Sequence, residues 1–133
     1  ILDPASGRAD KFHEVYDIVQ AAQAVAINSI EVGMTGALVH QFAARHIEEA
    51  GYGEYFTHGL GHGVGLDVHD YPPYLGPSSE DVLGEGMVFT IEPGIYIKEW
   101  GGVRIEDIVH IKDGRAQRLS NLASTISPNF GGL

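Results

Sequence analysis

No cysteine occurs among the 133 residues, which excludes disulfides, thiolate nucleophiles and cysteine-ligated zinc. Positive charge is scarce: eight Lys and Arg stand against eighteen Asp and Glu, for a formal net charge of -10. No basic run is long enough to follow a phosphate backbone, so nucleic acid is not an expected partner. Also missing is any apolar run approaching the ~20 residues that a bilayer demands, and no basic stretch followed by an apolar one opens the chain. Neither membrane insertion nor secretion is supported, and a cytoplasmic location is the expectation. With 44% hydrophobic and 20% charged residues, the composition is that of one globular domain with a modest core. The chain starts at Ile1 rather than Met, which raises the expectation of a piece of something longer.

Glycine is nearly absent from the first fifty residues and abundant afterwards: three of the 18 lie in residues 1–50 and fifteen beyond. In the glycine-poor part, Phe12, Val15, Tyr16, Val19, Ala22, Val25, Ala26 and Ile30 recur at spacings of three and four, which predicts an amphipathic helix over 10–31 with Asp10 as its N-cap. A second helix is predicted from Thr35, a capping residue, through Leu38, Phe42 and Ile47 to a glycine stop at Gly51. Beyond Gly51 short β-type runs take over, near 55–58, 87–92, 94–97, 103–111 and 116–119. Residues 71–79 hold three of the six prolines and are predicted to form a loop or lid. The tail 127–133 is expected to be loosely held. Helices followed by antiparallel strands indicate an α+β fold.

Three polar clusters interrupt the apolar strands. Residues 57–70 carry His58, His62 and His69 among four glycines, where glycine admits close approach and imidazole supplies a metal ligand or a group titrating near neutrality. Read alone, each could be an ordinary loop histidine, and their spacings of four and seven do not match the helical metalloprotease motif. In 86–94, Glu92 ends an apolar run just before Pro93, and it either faces solvent or points inward to a cation. In 101–110, alternation puts Val103, Ile105, Asp107 and Val109 on one face and Arg104, Glu106, Ile108 and His110 on the other. Arg104 and Glu106 are then either a weak surface pair or an inward carboxylate beside an orienting guanidinium. One imidazole and two carboxylates form a mixed nitrogen and oxygen set suited to Mn, Co or Zn. Two divalent ions bring +4, of which Glu92 and Glu106 offset half, so a dinuclear site would need further carboxylates.

These clusters resemble the C-terminal signature of the pita-bread metallopeptidases, the family of methionine aminopeptidase, aminopeptidase P and Xaa-Pro dipeptidase (prolidase). The similarity runs from Phe12 to about Leu119, and the Gly-Val-Arg-Ile-Glu-Asp segment at 102–107 is closest to the aminopeptidase P and prolidase branch. The resemblance implies a pita-bread α+β fold, two helices on a mainly antiparallel curved sheet, with residues 1–133 forming the C-terminal part of a catalytic domain. It implies two divalent metal ions, Mn or Co first and Zn next, and hydrolysis of Xaa-Pro bonds by a metal-bridged hydroxide. His62 and Glu92 would ligate one ion, Glu106 would bridge both, and Glu92 would also relay the proton. His58 and His69 would contact substrate and steady the tetrahedral intermediate, and Arg104 would order the site near Glu106. Tyr71, Tyr74 and Trp100 are candidates for packing the proline ring of a dipeptide or peptide substrate.

The family's two aspartate ligands precede the first helix, and Ile1–Pro4 resembles the end of the strand pair that carries them. Neither aspartate nor the family's N-terminal domain is expected here, so the 133 residues alone are expected to be inactive and to bind metal weakly. The half sheet is expected to leave an unpaired edge and exposed apolar surface, so self-association of the 133 residues is expected. The parent is expected to be a homodimer. Competing readings are a non-catalytic protein-binding module of the same fold, a metal-free hydrolase like creatinase, and a plain α+β domain with incidental histidines. The presence of His62, Glu92 and Glu106 together argues against the binding module and the creatinase-like hydrolase.

Overall fold

A computed structural model describes residues 7–120. Two helices come first, α1 (Arg8–Ser29) and α2 (Gly36–Glu49). Seven strands follow: β1 (Gly61–Gly63), β2 (Asp70–Leu75), β3 (Val88–Ile91), β4 (Gly94–Ile97), β5 (Gly101–Arg104), β6 (Asp107–Lys112) and β7 (Arg115–Arg118). Five form an antiparallel sheet in the order β2-β1-β3-β6-β7, and β4 with β5 makes a separate antiparallel ribbon. The architecture is α+β, as the residue pattern predicts. No helix among the described residues is long and apolar enough to cross a membrane.

The predicted helices are present, with corrections at their ends and faces. Asp10 does not cap α1: the helix begins at Arg8 behind Gly7, which has no side-chain cap bond, and Asp10 sits in the first turn, where its charge favours the helix dipole. Thr35 does cap α2, accepting from the Leu38 N–H at 3.3 Å. At the other end Gly51 takes φ of 86°, and the bonds Gly51 N–H to Glu48 C=O (2.8 Å) and Tyr52 N–H to Ile47 C=O (3.0 Å) form a Schellman stop. The buried stripe of α1 is Val15, Val19, Ala22, Gln23, Ala26 and Ile27, with Val25 facing out instead. On α2 the buried face runs through Val39, His40, Ala43 and Ile47, while Leu38 is exposed. Buried His40 stacks on Phe56 at 5.2 Å, and burial first, then the neighbouring His58, lowers its pKa.

The strand predictions need more revision. Residues 55–58 are no strand; Gly53–Tyr55 curl into a 3₁₀ turn whose backbone bonds, Tyr55 N–H to Tyr52 and Phe56 N–H to Gly53, close locally and leave no ladder to join. The proline-rich segment is not wholly a loop: its first part is β2, at the border of the sheet, where residues lacking an N–H are tolerated. The single run predicted over 103–111 splits, β5 pairing with β4 and β6 with β3, yet the alternation persists across the break. Val103, Ile105 and Val109 are buried, whereas Arg104, Glu106 and Ile108 are exposed. The segments predicted at 87–92, 94–97 and 116–119 contain β3, β4 and most of β7. The expectations for Ile1–Pro4 and for 127–133 lie outside the described residues.

Strand β1 has almost no apolar content, so its pattern gives no strand signal. It pairs with β3 because glycine lets it come close: a Cβ built on Gly61 would lie 1.9 Å from the Thr90 carbonyl oxygen. Gly61→Ala is therefore expected to cost about 1–3 kcal/mol through overpacking. Gly84→Ala is the control, since its methyl would meet only the Met87 terminal carbon at 3.7 Å, and it should stay within about 0.5 kcal/mol. Urea denaturation midpoints of the two variants check the contrast; equal midpoints would refute it.

Candidate active site

Alternation along β3 sends Phe89 and Ile91 into the core and leaves Thr90 and the following Glu92 on the opposite face. The register Gly63 opposite Phe89 brings His62 of β1 beside Thr90. The Thr90 hydroxyl accepts from the His62 backbone N–H at 3.1 Å and donates to Glu92 Oε1 at 2.8 Å. The Glu92 N–H is anchored on the Leu60 carbonyl at 2.8 Å. One buried hydroxyl thus ties an imidazole-bearing strand to a carboxylate.

His62 Nδ1 lies 2.8 Å from the Gly63 carbonyl oxygen. A carbonyl only accepts, so Nδ1 carries the proton, and in the neutral ring the Nε2 lone pair faces Glu92 Oε1 at 3.2 Å. Lone pairs of an imidazole and a carboxylate converging from two strands fit a divalent cation, and the backbone carbonyl fixes the tautomer that such a ligand needs. His69 packs edge-on against His62 with ring centres 4.4 Å apart.

Arg104, the last residue of β5, places Nε 3.8 Å from both Glu92 Oε2 and Glu106 Oε2. The guanidinium lies between the two acids. Its pKa is pushed up, first by the Tyr96 phenol that accepts a hydrogen bond from it and then, against partial desolvation, by Glu106 and Glu92. Tyr96 in turn lies 2.9 Å from His58 Nε2, and His58 Nδ1 lies 2.7 Å from the Gly59 carbonyl. The same logic protonates His58 at Nδ1 and makes the Tyr96 hydroxyl the donor to Nε2. Tyr96 escapes sequence reading, because alternation along β4 marks it only as an outward residue.

A cavity of about 340 Å³ opens here, lined by His58, His62, His69, Tyr71, Tyr74, Glu92 and Arg104 together with Gly59 and Gly61. Its size suits a small ligand. Trp100 does not line it; its ring faces Lys11 on α1 at 5.6 Å. Glu106 is more exposed and reaches the cluster through Arg104. Among the described residues no three His, Asp or Glu side chains gather closely enough to hold an ion by themselves.

The profile of metallopeptidase family M24 matches residues 4–113, and the chain belongs to that family. The Xaa-Pro dipeptidase of Pyrococcus furiosus is 50% identical over 111 residues, which are 84% of this chain and 32% of that protein. A solved structure of the Pyrococcus furiosus prolidase shares 50% identity with a TM-score of 0.82, over 85% of this chain and 33% of that one. The X-Pro aminopeptidase of Thermotoga maritima is 41% identical with a TM-score of 0.83, over 87% and 33%. The chain thus spans about a third of the length of these relatives, and the fold it shares with them is that of the prolidases.

Replacing Thr90 by Val keeps the shape but leaves the His62 N–H without its acceptor and Glu92 without its donor. The expected cost is about 1–3 kcal/mol. Thr90→Ser should recover most of it. Chemical denaturation of both variants tests this, and equal loss in the two would remove the hydroxyl from the account.

Proposed function

We propose that the protein containing this chain is a dinuclear metal-dependent peptidase that hydrolyses Xaa-Pro bonds in dipeptides or at the start of longer peptides. The observation that carries the proposal is the Nε2 of His62 facing Glu92 at 3.2 Å, with Nδ1 committed to a carbonyl, inside a cavity walled by two tyrosines. His62, Glu92 and Glu106 would hold two ions, Mn or Co first and Zn next. Ions bound there would supply an acidified water and polarise the scissile carbonyl.

The remaining work belongs to side chains. Glu92, held by Thr90 at Oε1 and near Arg104 at Oε2, accepts the proton of the attacking water and delivers it to the departing proline nitrogen. Arg104 keeps the two acids from repelling one another before they are engaged. His58 and His69 stand at the cavity wall to contact the substrate. The His69 imidazole steadies negative charge developing on a carbonyl oxygen, and His58, with both ring nitrogens engaged by Gly59 and Tyr96, does so only once Tyr96 gives way. The Xaa-Pro amide offers no N–H, so recognition falls on ring packing, for which Tyr71 and Tyr74 supply the surfaces. The similarity to Xaa-Pro dipeptidases supports this substrate class.

Two ions carry more charge than Glu92 and Glu106 neutralise, so the complete centre takes further carboxylates, and the 133 residues alone are inactive. Manganese titrated calorimetrically into the chain by itself is expected to bind weakly; two tight sites would contradict this. In the whole gene product with manganese, an Xaa-Pro dipeptide should be cleaved, and Glu92→Gln should lower kcat by about 10²–10⁴-fold. Activity absent under these conditions would favour a protein-binding module of the same fold.

A further inference from the structure

Gln23 is the one fully buried polar residue of α1, and none of the proposed chemistry uses it. Its side-chain amide nitrogen donates to the Ile91 carbonyl and to the Ile105 carbonyl, each at 3.2 Å, across 68 and 82 residues of sequence. Its oxygen accepts from Arg118 Nη2 at 3.3 Å, and Arg118 Nε in turn pairs with Asp107 Oδ2 at 3.1 Å. Asp107 is the register partner of Ile91. Both amide hydrogens and the oxygen are therefore used, and a flipped amide would oppose all three partners.

The two carbonyls are not arbitrary. Ile91 immediately precedes Glu92, and Ile105 immediately precedes Glu106, so the peptide groups that Gln23 grips are those joining each acid to the chain. Those groups belong to different parts of the fold, one at the end of β3 in the large sheet and the other just after β5 in the ribbon. Among the described residues, side-chain contact between the acids runs through the half-exposed Arg104 at 3.8 Å. The Gln23 amide, in contrast, is enclosed, where each hydrogen bond is harder to exchange for water.

We propose that Gln23 is a positioning residue that sets the separation of Glu92 and Glu106 from the helix side of the sheet. This rests on the ligand roles proposed above for the two acids. A residue serving only to satisfy buried carbonyls would affect stability. A residue setting the acid spacing affects cation affinity beyond any loss of stability.

The test uses the whole gene product, with manganese alone as the probe, read by calorimetry beside the unfolding midpoint of the metal-free protein. Gln23→Met, close in size and without donors, is expected to weaken manganese binding about 10–100-fold. Gln23→Glu keeps a partner for Arg118 but turns an anion toward both carbonyls, and it should show the same loss, which guards against a Met variant that fails to fold. Ala26→Gly, in the same helix and touching neither carbonyl, should lower the midpoint and leave affinity unchanged. Wild-type affinity in both folded Gln23 variants overturns the proposal, as does an equal loss of affinity in Ala26→Gly. His62→Ala separates this from the broader reading: if it too binds manganese normally, the ligand assignment fails, whereas loss in His62→Ala with retention in the Gln23 variants defeats the Gln23 role alone.

Discussion

A strand shows successive side chains to opposite sides, and in β3 that rule joins the core to the chemistry. Phe89 and Ile91 are buried among residues of the two helices, so Thr90 and Glu92 have no choice but the other face. Any slip of register would exchange them, placing a carboxylate in the core and a phenyl ring in the cleft. Burial of two large side chains is thus what aims Glu92, and Pro93 ends the strand directly behind it. His62 depends on the same element, since β1 can approach β3 only through glycine, and the Thr90 hydroxyl fixes the distance between them.

Electrostatically the cleft is a cation flanked by acids within a strongly acidic chain. Arg104 stands midway between Glu92 and Glu106, while Tyr96 and His58 continue a line of hydrogen bonds to the Gly59 carbonyl. His58 in this line and His62 beside it each have one ring nitrogen set by a carbonyl of the chain itself. The orientation of these rings is therefore set by main-chain geometry, which follows from strand pairing, and the site inherits its arrangement from the sheet.

Helical period and glycine content were enough to read both helices, and alternation was enough to place Arg104 and Glu106 together. Around His62 and Glu92, glycine, imidazole and a strand-end carboxylate left loop and solvent-facing readings open, and it was the resemblance to the pita-bread metallopeptidases that singled these residues out. What escaped was whatever depends on a partner distant in sequence. β1 carries no apolar signal and exists only against β3 and β2; β2 reads as a loop until its border position is known. Gln23 sits four residues after Val19 and three before Ala26, inside the apolar stripe, so its burial follows from period alone. Its acceptors on Ile91 and Ile105 do not. Trp100 was a candidate for packing the proline ring, whereas the turn between β4 and β5 carries it to the side of α1.

The two borders of the large sheet are unlike in what they offer another molecule. Pro72 and Pro73 deprive β2 of amide hydrogens along part of its length, so an incoming extended segment finds few donors to zip against. The far border, β7, presents Arg115 and Arg118 at its ends, each already engaged by an acid of the same chain. Among the described residues, both edges are therefore poor templates for the addition of a further strand.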